Sequence, residues 1–462
     1  MNLGNLAILV ILPVSVIVSL RGLFRPFFGL LILMTLHFVQ PAEMFPVLAP
    51  LRLELVYGVL LLIIVLFNKA TEIKALLRAD PIIRATLWLL VIAVSTIPFA
   101  IWRGGAFESA TNLAKMVTLQ LLMVFFIDSQ ERLHKILWLM AGFLLWFAGS
   151  SFCAYLQGQF YTVGGVERAE GINSMVGGPN ELAGLLLALL PFLLALIRCS
   201  RRLLVKLLLV VGGGLTLFVL LLTGARIAFI ALIVLAIFYI LRSKRKLLSL
   251  SFTVVVGLAF WSFLPAAYQH RYLTVREYAE GGQLDASNQL RLAIWHAGWR
   301  MFLDHPILGV GAGQFSTAYG TIYSGQIHKA WMNPHNLFLQ VTCELGLVGL
   351  FAFICFVVQL CKALREVLRL KSRPGFALNY EFAVACSFMF VGVALMSSVS
   401  HTLYRPYWFL LAGLATANRS IVRQVLSSSD AEKLEPAESE ELFWEPDKLG
   451  RTTLPEYYQA LR

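Results

Sequence analysis

Residues 203–242, LLVKLLLVVGGGLTLFVLLLTGARIAFIALIVLAIFYILR, decide the fold. Two apolar runs, 203–222 and 227–241, are separated only by Thr223-Gly224-Ala225-Arg226, which leaves room for a tight turn and nothing more. The first run has the roughly 20 residues that a helix needs to cross about 30 Å of hydrocarbon. In lipid every backbone polar group must be satisfied internally, so such runs are helical and this pair is a membrane hairpin. Further runs long enough to span, or nearly so, fall at 3–20, 23–40, 52–68, 82–101, 112–127, 134–156, 180–197, 247–265, 335–360, 378–400 and 404–418. The expectation is an all-α polytopic membrane protein with about 12–13 transmembrane helices. The first two runs are short for perpendicular spans.

Composition agrees, with 58% hydrophobic residues in a chain of 462 and a mean hydropathy of +0.75. The formal charge of +12 does not indicate a nucleic-acid partner, because the cations lie in short clusters between apolar runs. Clusters of that kind report topology and attraction to membrane lipids. They are Lys69/Lys74/Arg78/Arg84, Arg198/Arg201/Arg202/Lys206, Arg242/Lys244/Arg245/Lys246 and Lys362/Arg365/Arg369/Lys371/Arg373, on every second connection. The positive-inside bias puts these in the cytoplasm. The connections 102–111, 157–179, 223–226, 266–334 and 401–405 then face outward. Four regions follow: amino-terminal membrane helices 1–265, an outward helical loop subdomain 266–334, carboxy-terminal membrane helices 335–418, and a cytoplasmic tail 419–462 with an acidic run. The start of the chain reads as a retained first span, since it lacks the basic flank of a signal peptide. The six cysteines are scattered and have no CxxC spacing, so neither a disulfide framework nor a cysteine metal site is expected. The histidines show no HxH or HExxH spacing and no cofactor is indicated.

Chemistry-bearing residues gather on the outward connections. Arg226 sits in the 223–226 turn, where positive charge is disfavoured. It is either an arginine snorkelling to the headgroups or a guanidinium fork turned inward to hold an anion. Arg291 belongs to a helix over about 288–303, capped by Asp285 or Ser287, in which Leu290, Ile294, Ala297 and Met301 recur at helical spacing. It shares a face with Trp295, on what is either an interfacial helix or an anion-binding one. In Asn333-Pro334-His335-Asn336, Asn333 reads as a helix cap and Pro334 as the first helical residue, which puts His335 in the opening turn. There the helix dipole would favour phosphate and disfavour imidazolium, so a neutral His335 could accept a proton; the alternative is a histidine filling an interfacial position. Arg168 could reach the same place from a neighbouring loop, and Asn180, after Gly178-Pro179, reads as the cap of the next span. Glu344, nine residues beyond His335, faces away from it and reads as a packing group. Gly309-Val310-Gly311-Ala312-Gly313 lacks the strand and Lys-Ser/Thr of a phosphate loop and reads as a flexible turn.

Taken in order, Gly178-Pro179-Asn180-Glu181-Leu182-Ala183, Thr223-Gly224-Ala225-Arg226, Arg291 with Trp295, Asp304-His305-Pro306-Ile307-Leu308-Gly309-Val310-Gly311, and His335-Asn336 followed by Glu344-Leu345-Gly346-Leu347-Val348-Gly349 resemble the O-antigen ligase and polymerase superfamily. The resemblance covers about 164–360. Arg25-Pro26-Phe27 is similar to a subgroup of O-glycosylation ligases. Ala225 departs from the family turn, which often carries serine there. The resemblance implies a GT-C-like membrane glycosyltransferase working on the periplasmic face of the bacterial inner membrane. Its donor would be a glycan on undecaprenyl pyrophosphate and its acceptor a hydroxyl of lipid A-core or another surface molecule. Carried over, Arg226 and Arg291, with Arg168 beside them, would hold the donor pyrophosphate, and His335 would assist the acceptor hydroxyl. A repeat-unit polymerase and a protein O-oligosaccharyltransferase share this donor chemistry. A lipid-linked glycan transporter is the rival from another class, but it should carry its charges near mid-membrane.

Overall fold

Pro179–Cys199 (α7), PNELAGLLLALLPFLLALIRC, is apolar on every side, and a helix of that kind belongs in the middle of a bundle. It does lie there, with nearly all of its side chains buried between Gln130–Leu156 (α6), Leu203–Leu222 (α8) and Ala377–Ser397 (α14). Pro191 is accommodated inside it. The structure, a computed structural model, describes residues 21–163, 165–279, 286–324, 331–371 and 373–427. The remaining helices are Pro26–Val39 (α1), Leu53–Asn68 (α2), Ala70–Ala79 (α3), Pro81–Ser95 (α4), Arg103–Phe126 (α5), Arg226–Arg242 (α9), Lys246–Phe263 (α10), Ala266–Ala279 (α11), Ala286–Asp304 (α12), Leu337–Leu368 (α13) and Tyr407–Ser427 (α15), with a few short turns. One antiparallel hairpin, Tyr161–Val163 (β1) with Val166–Arg168 (β2), pairs Tyr161 with Arg168.

The chain is an all-helical polytopic membrane protein. Among the described residues nine helices are long and apolar enough to cross a membrane. Pro26–Val39 is a shorter apolar helix, and α9 and α15 occupy two further expected spans. The run 3–20, the Asp285 cap and the acidic tail lie outside the described residues. α13 packs on α4 and α15 on α5, closing the bundle, whereas α10 buries none of its residues and lies at the periphery.

The bundle has two chemically different ends. One end holds the ion pairs: Arg198 with Glu381 at 2.9 Å, Arg132 with Asp128 at 2.6 Å, Arg423 with both carboxylate oxygens of Glu366, and a buried pair between Arg419 and Asp80. Asp80 also caps α4, accepting from Ile82 N at 2.8 Å and Ile83 N at 3.1 Å. The sequence expectation ended the last membrane helix at 418. In the structure α15 continues to Ser427, because Arg419 is drawn inward by Asp80 rather than left in a tail. At the other end of the bundle lie the 168–181 segment, the 223–226 turn, Trp295, His335 and the 401–405 connection. Next to them α12 builds a small second core from Ile294, Ala297, Met301, Val310, Phe315, Ala318, Tyr319 and Cys343. Three of the four positions expected at helical spacing, Ile294, Ala297 and Met301, are buried in it.

Candidate active site

Thr223 shapes the turn before Arg226. Its hydroxyl donates to Leu220 O at 2.6 Å and accepts from Ala225 N at 3.3 Å, while Gly224 takes φ +59. Two other arginines clamp the exposed carbonyls of this turn. Arg168 Nε donates to Thr223 O at 2.6 Å and Arg271 Nε to Gly224 O at 2.8 Å. Tyr272 supports them by donating to Leu221 O at 2.7 Å. A Cβ on Gly224 would stand 3.2 Å from Arg271 Nε and 3.4 Å from Arg168 Nε, so the position needs glycine for space as well as for φ. Arg168 is buried, and its second fork arm donates to Asn180 Oδ1 at 2.9 Å. Asn180 therefore receives a guanidinium and caps nothing, contrary to the sequence expectation. Gly178 stands at the cap position and Pro179 at the first helical one.

The consequence is electrostatic. Burial, then the nearby Arg271 and also Arg226, push the Arg168 guanidinium down to about 10. Three guanidiniums thus crowd one turn, an arrangement that an anion would relieve.

His335 is placed differently from the expectation. The helix cap is Asn336, not Asn333: its Oδ1 accepts from Leu339 N at 3.1 Å and α13 begins at Leu337. His335 lies just before the helix with φ +45, in the left-handed region. Trp295 Nε1 donates to Pro334 O at 3.2 Å and Asn336 Nδ2 to Ser398 O at 3.3 Å, which fixes the loop from both flanks. The imidazole is pushed below the usual histidine range, first by burial and then by Arg291, with Glu181 opposing. A neutral His335 was expected, but desolvation and a neighbouring guanidinium produce it rather than a place in the helix's first turn.

His335 meets the His401 ring edge-on, with centroids 5.9 Å apart. His401 is pushed down to about 4 by burial, then by His335 and Arg405, and its Nδ1 is buried without a hydrogen-bond partner. Asn180, Glu181, His401 and Arg405 line one narrow cleft of about 30 Å³, and Arg405 is held by donating to Met175 O at 2.9 Å. Asn180 and Glu181 thereby join two groups: Arg168, Arg226 and Arg271 on one side, His335, Arg291, His401 and Arg405 on the other. Arg271, His401 and Arg405 were not singled out in the sequence. Arg405 had a usable signal, since it breaks the same outward-charge rule that drew attention to Arg226.

Behind the cleft, α13 is interrupted at Gly346, with φ +64 and ψ −163. The 306–313 segment, expected to be a flexible turn, repairs this break. Val310 N and Gly311 N donate to Cys343 O at 2.8 Å and Glu344 O at 3.1 Å, and Leu347 N donates to Pro306 O at 2.8 Å. A Cβ on Gly309 would lie 2.4 Å from Cys343 O, so the glycines permit backbone-to-backbone contact. Glu344 is a packing group, as expected: its Oε2 accepts from Gly313 N at 3.0 Å.

Fold and site together define a polytopic helical membrane protein with a cationic, histidine-bearing cleft at one end. Residues 211–354 match the family model described as O-antigen ligase, and through this domain the resemblance read from the motifs is borne out. The chain is 31% identical over 124 residues to a candidate polysaccharide ligase of Rickettsia conorii and 30% identical over 126 residues to one of Rickettsia prowazekii. Each match takes in 26% of this chain, and 28% and 29% of the relatives. It is 24% identical over 200 residues, 41% of this chain and 36% of the relative, to the ComP-specific O-oligosaccharyltransferase of Acinetobacter baylyi. The chain thus matches less than two-fifths of the length of each of these relatives.

Proposed function

We propose that this protein is an O-antigen ligase-type glycosyltransferase. It transfers a glycan from undecaprenyl pyrophosphate to a hydroxyl of lipid A-core on the periplasmic face of the inner membrane. The observation that carries this reading is the pairing of a neutral His335 with Arg291, in a cleft whose other wall leads through Asn180 to Arg168 and Arg226. As the bond to the anomeric carbon breaks, charge builds on the leaving pyrophosphate, and preorganised guanidiniums stabilise it without reorganisation. Arg226 and Arg291 contribute free fork geometry to the phosphates. Arg168 spends two of its donors on Thr223 and Asn180, so it mainly positions the turn and adds charge. His335 takes the acceptor proton, a role worth about 10²–10⁴-fold in rate. A single displacement inverts the anomeric centre.

The similarity to an O-oligosaccharyltransferase over 200 residues favours protein hydroxyls as the second acceptor class. Reconstitution with undecaprenyl-pyrophosphate glycan and, separately, lipid A-core, a second lipid-linked glycan or protein separates ligase, polymerase and protein transferase by product. Transfer to lipid A-core is expected, and its loss in His335→Ala and Arg291→Ala proteins that remain folded. Undiminished transfer in both variants would remove the site assignment. Transfer only to another acceptor would keep the site and change the acceptor.

A further inference from the structure

Between α1, α2 and α5 runs a groove of about 180 Å³ that the cleft does not use. Leu33, Leu55, Val59, Leu62 and Leu119 form its walls, and His37, Glu54 and Lys115 its polar part. Leu55 and Val59 are exposed on the bundle surface, so the groove opens sideways toward the hydrocarbon. His37 is 8% exposed and its Nδ1 lies 2.8 Å from Glu54 Oε1. A carboxylate only accepts, so Nδ1 carries the hydrogen. Nε2 on the far side of the ring is buried and has no hydrogen-bond partner. Lys115 Nζ donates to Asn112 Oδ1 at a long 3.3 Å and lies within electrostatic range of Glu54. Ionisable groups inside membrane helices are costly, and three of them on facing helices beside a cavity mark a binding place rather than packing.

We propose that this groove holds one membrane phospholipid, its phosphodiester received by Lys115 Nζ and His37 Nε2 and one chain laid along Leu62 and Leu119. Charge selects this occupant. With His37 as imidazolium, Glu54 offsets one of two cations and leaves a single positive charge, which matches the single negative charge of a phosphodiester. A diphosphate would bring excess negative charge against Glu54. The groove is mechanically connected to the cleft, because Asn173 Nδ2 donates to Phe38 O at 2.9 Å and Arg405 holds Met175 two residues on.

The test is native mass spectrometry of the full chain in detergent, titrated with phosphatidylglycerol. One lipid should bind tightly to the wild type. Affinity should fall roughly ten-fold in Lys115→Ala and in His37→Phe, as expected for losing one charged phosphate contact. Leu62→Trp, which fills the groove without altering its charge, should also lower it, while Lys362→Ala, outside the groove, should leave it unchanged. Diacylglycerol, which lacks the phosphate, should compete poorly. Wild-type affinity in folded Lys115→Ala and Leu62→Trp proteins would overturn the proposal. So would Lys115-dependent displacement of the lipid by undecaprenyl pyrophosphate, which would give the groove to a diphosphate.

Discussion

At φ +45 His335 adopts a conformation that costs an L-residue about 1–2 kcal/mol, and it is kept there by bonds to its neighbours rather than to itself. Trp295 holds Pro334 and the Asn336 side chain reaches Ser398, so the imidazole direction is set before any substrate arrives. The nearby Arg291 then does two things. It offers a fork to phosphate, and it disfavours imidazolium on His335, which keeps the base neutral to lower pH. Removing that cation must move the His335 pKa upward. The measurement is the rate of diethylpyrocarbonate modification of His335 against pH, read by peptide mass spectrometry, since only neutral imidazole reacts. The acid limb for wild type should lie below the ordinary histidine value, and in Arg291→Gln it should shift to higher pH. An unmoved limb would mean that Arg291 does not face His335. Arg226→Lys tests the other wall: turnover should fall about ten-fold or more, because an ammonium cannot reproduce a bidentate contact. Wild-type turnover would instead mark Arg226 as snorkelling to the headgroups.

Among the elements, the broken helix α13 makes the sharpest demand on sequence. Gly346 carries φ +64, and a Cβ there would stand 2.1 Å from Ile307 O. Gly346→Ala should therefore lower stability by about 1–3 kcal/mol or more, the usual range for forcing a residue into a sparsely populated conformation, with the clash added. Gly142 in α6 provides the contrast, since a Cβ there meets nothing within 4 Å. Gly142→Ala should be neutral or stabilising by up to about 1 kcal/mol. Thermal unfolding in one detergent compares them, and equal midpoints would mean that the break at Gly346 does not persist in solution. This element also shows what the sequence could disclose. Hydropathy located the span from 335 onward because burial in lipid leaves a contiguous apolar run. It could not show the interruption, because Gly346 and the 306–313 segment that repairs it are distant in sequence and joined only by backbone hydrogen bonds. The same limit hid Arg271 and His401, whose roles depend on which turn and which ring they meet. Arg226, Arg291 and His335 were legible because charge or cap chemistry stood out against apolar neighbours. The cap itself was misplaced by three residues, as Asn333 and Asn336 offer the same side chain.

Across the whole molecule, the two ends divide the work. Every helix that starts among the ion pairs of Asp80, Arg132 and Glu381 finishes near the turns that carry Thr96, Gln157 or Ser398, and α7, α9, α13 and α15 run the opposite way. Carboxylates partner the cations at the first end. At the second, three guanidiniums share one turn and two histidines are held neutral, so only the second end is prepared for an anion. The proposed donor presents its pyrophosphate outside the cytoplasm, so the reading requires that the second end face the periplasm. The basic clusters imply this orientation through the insertion bias, and single cysteines can measure it directly. In a background with the native cysteines replaced, Gln159→Cys lies exposed near the hairpin at the site end and Lys244→Cys lies exposed at the other. A membrane-impermeant maleimide added to intact spheroplasts should label the first and spare the second until the membrane is opened. The reverse pattern would put the cleft on the cytoplasmic face, away from the proposed donor, and would end the transferase reading even if every residue in the cleft were placed as described.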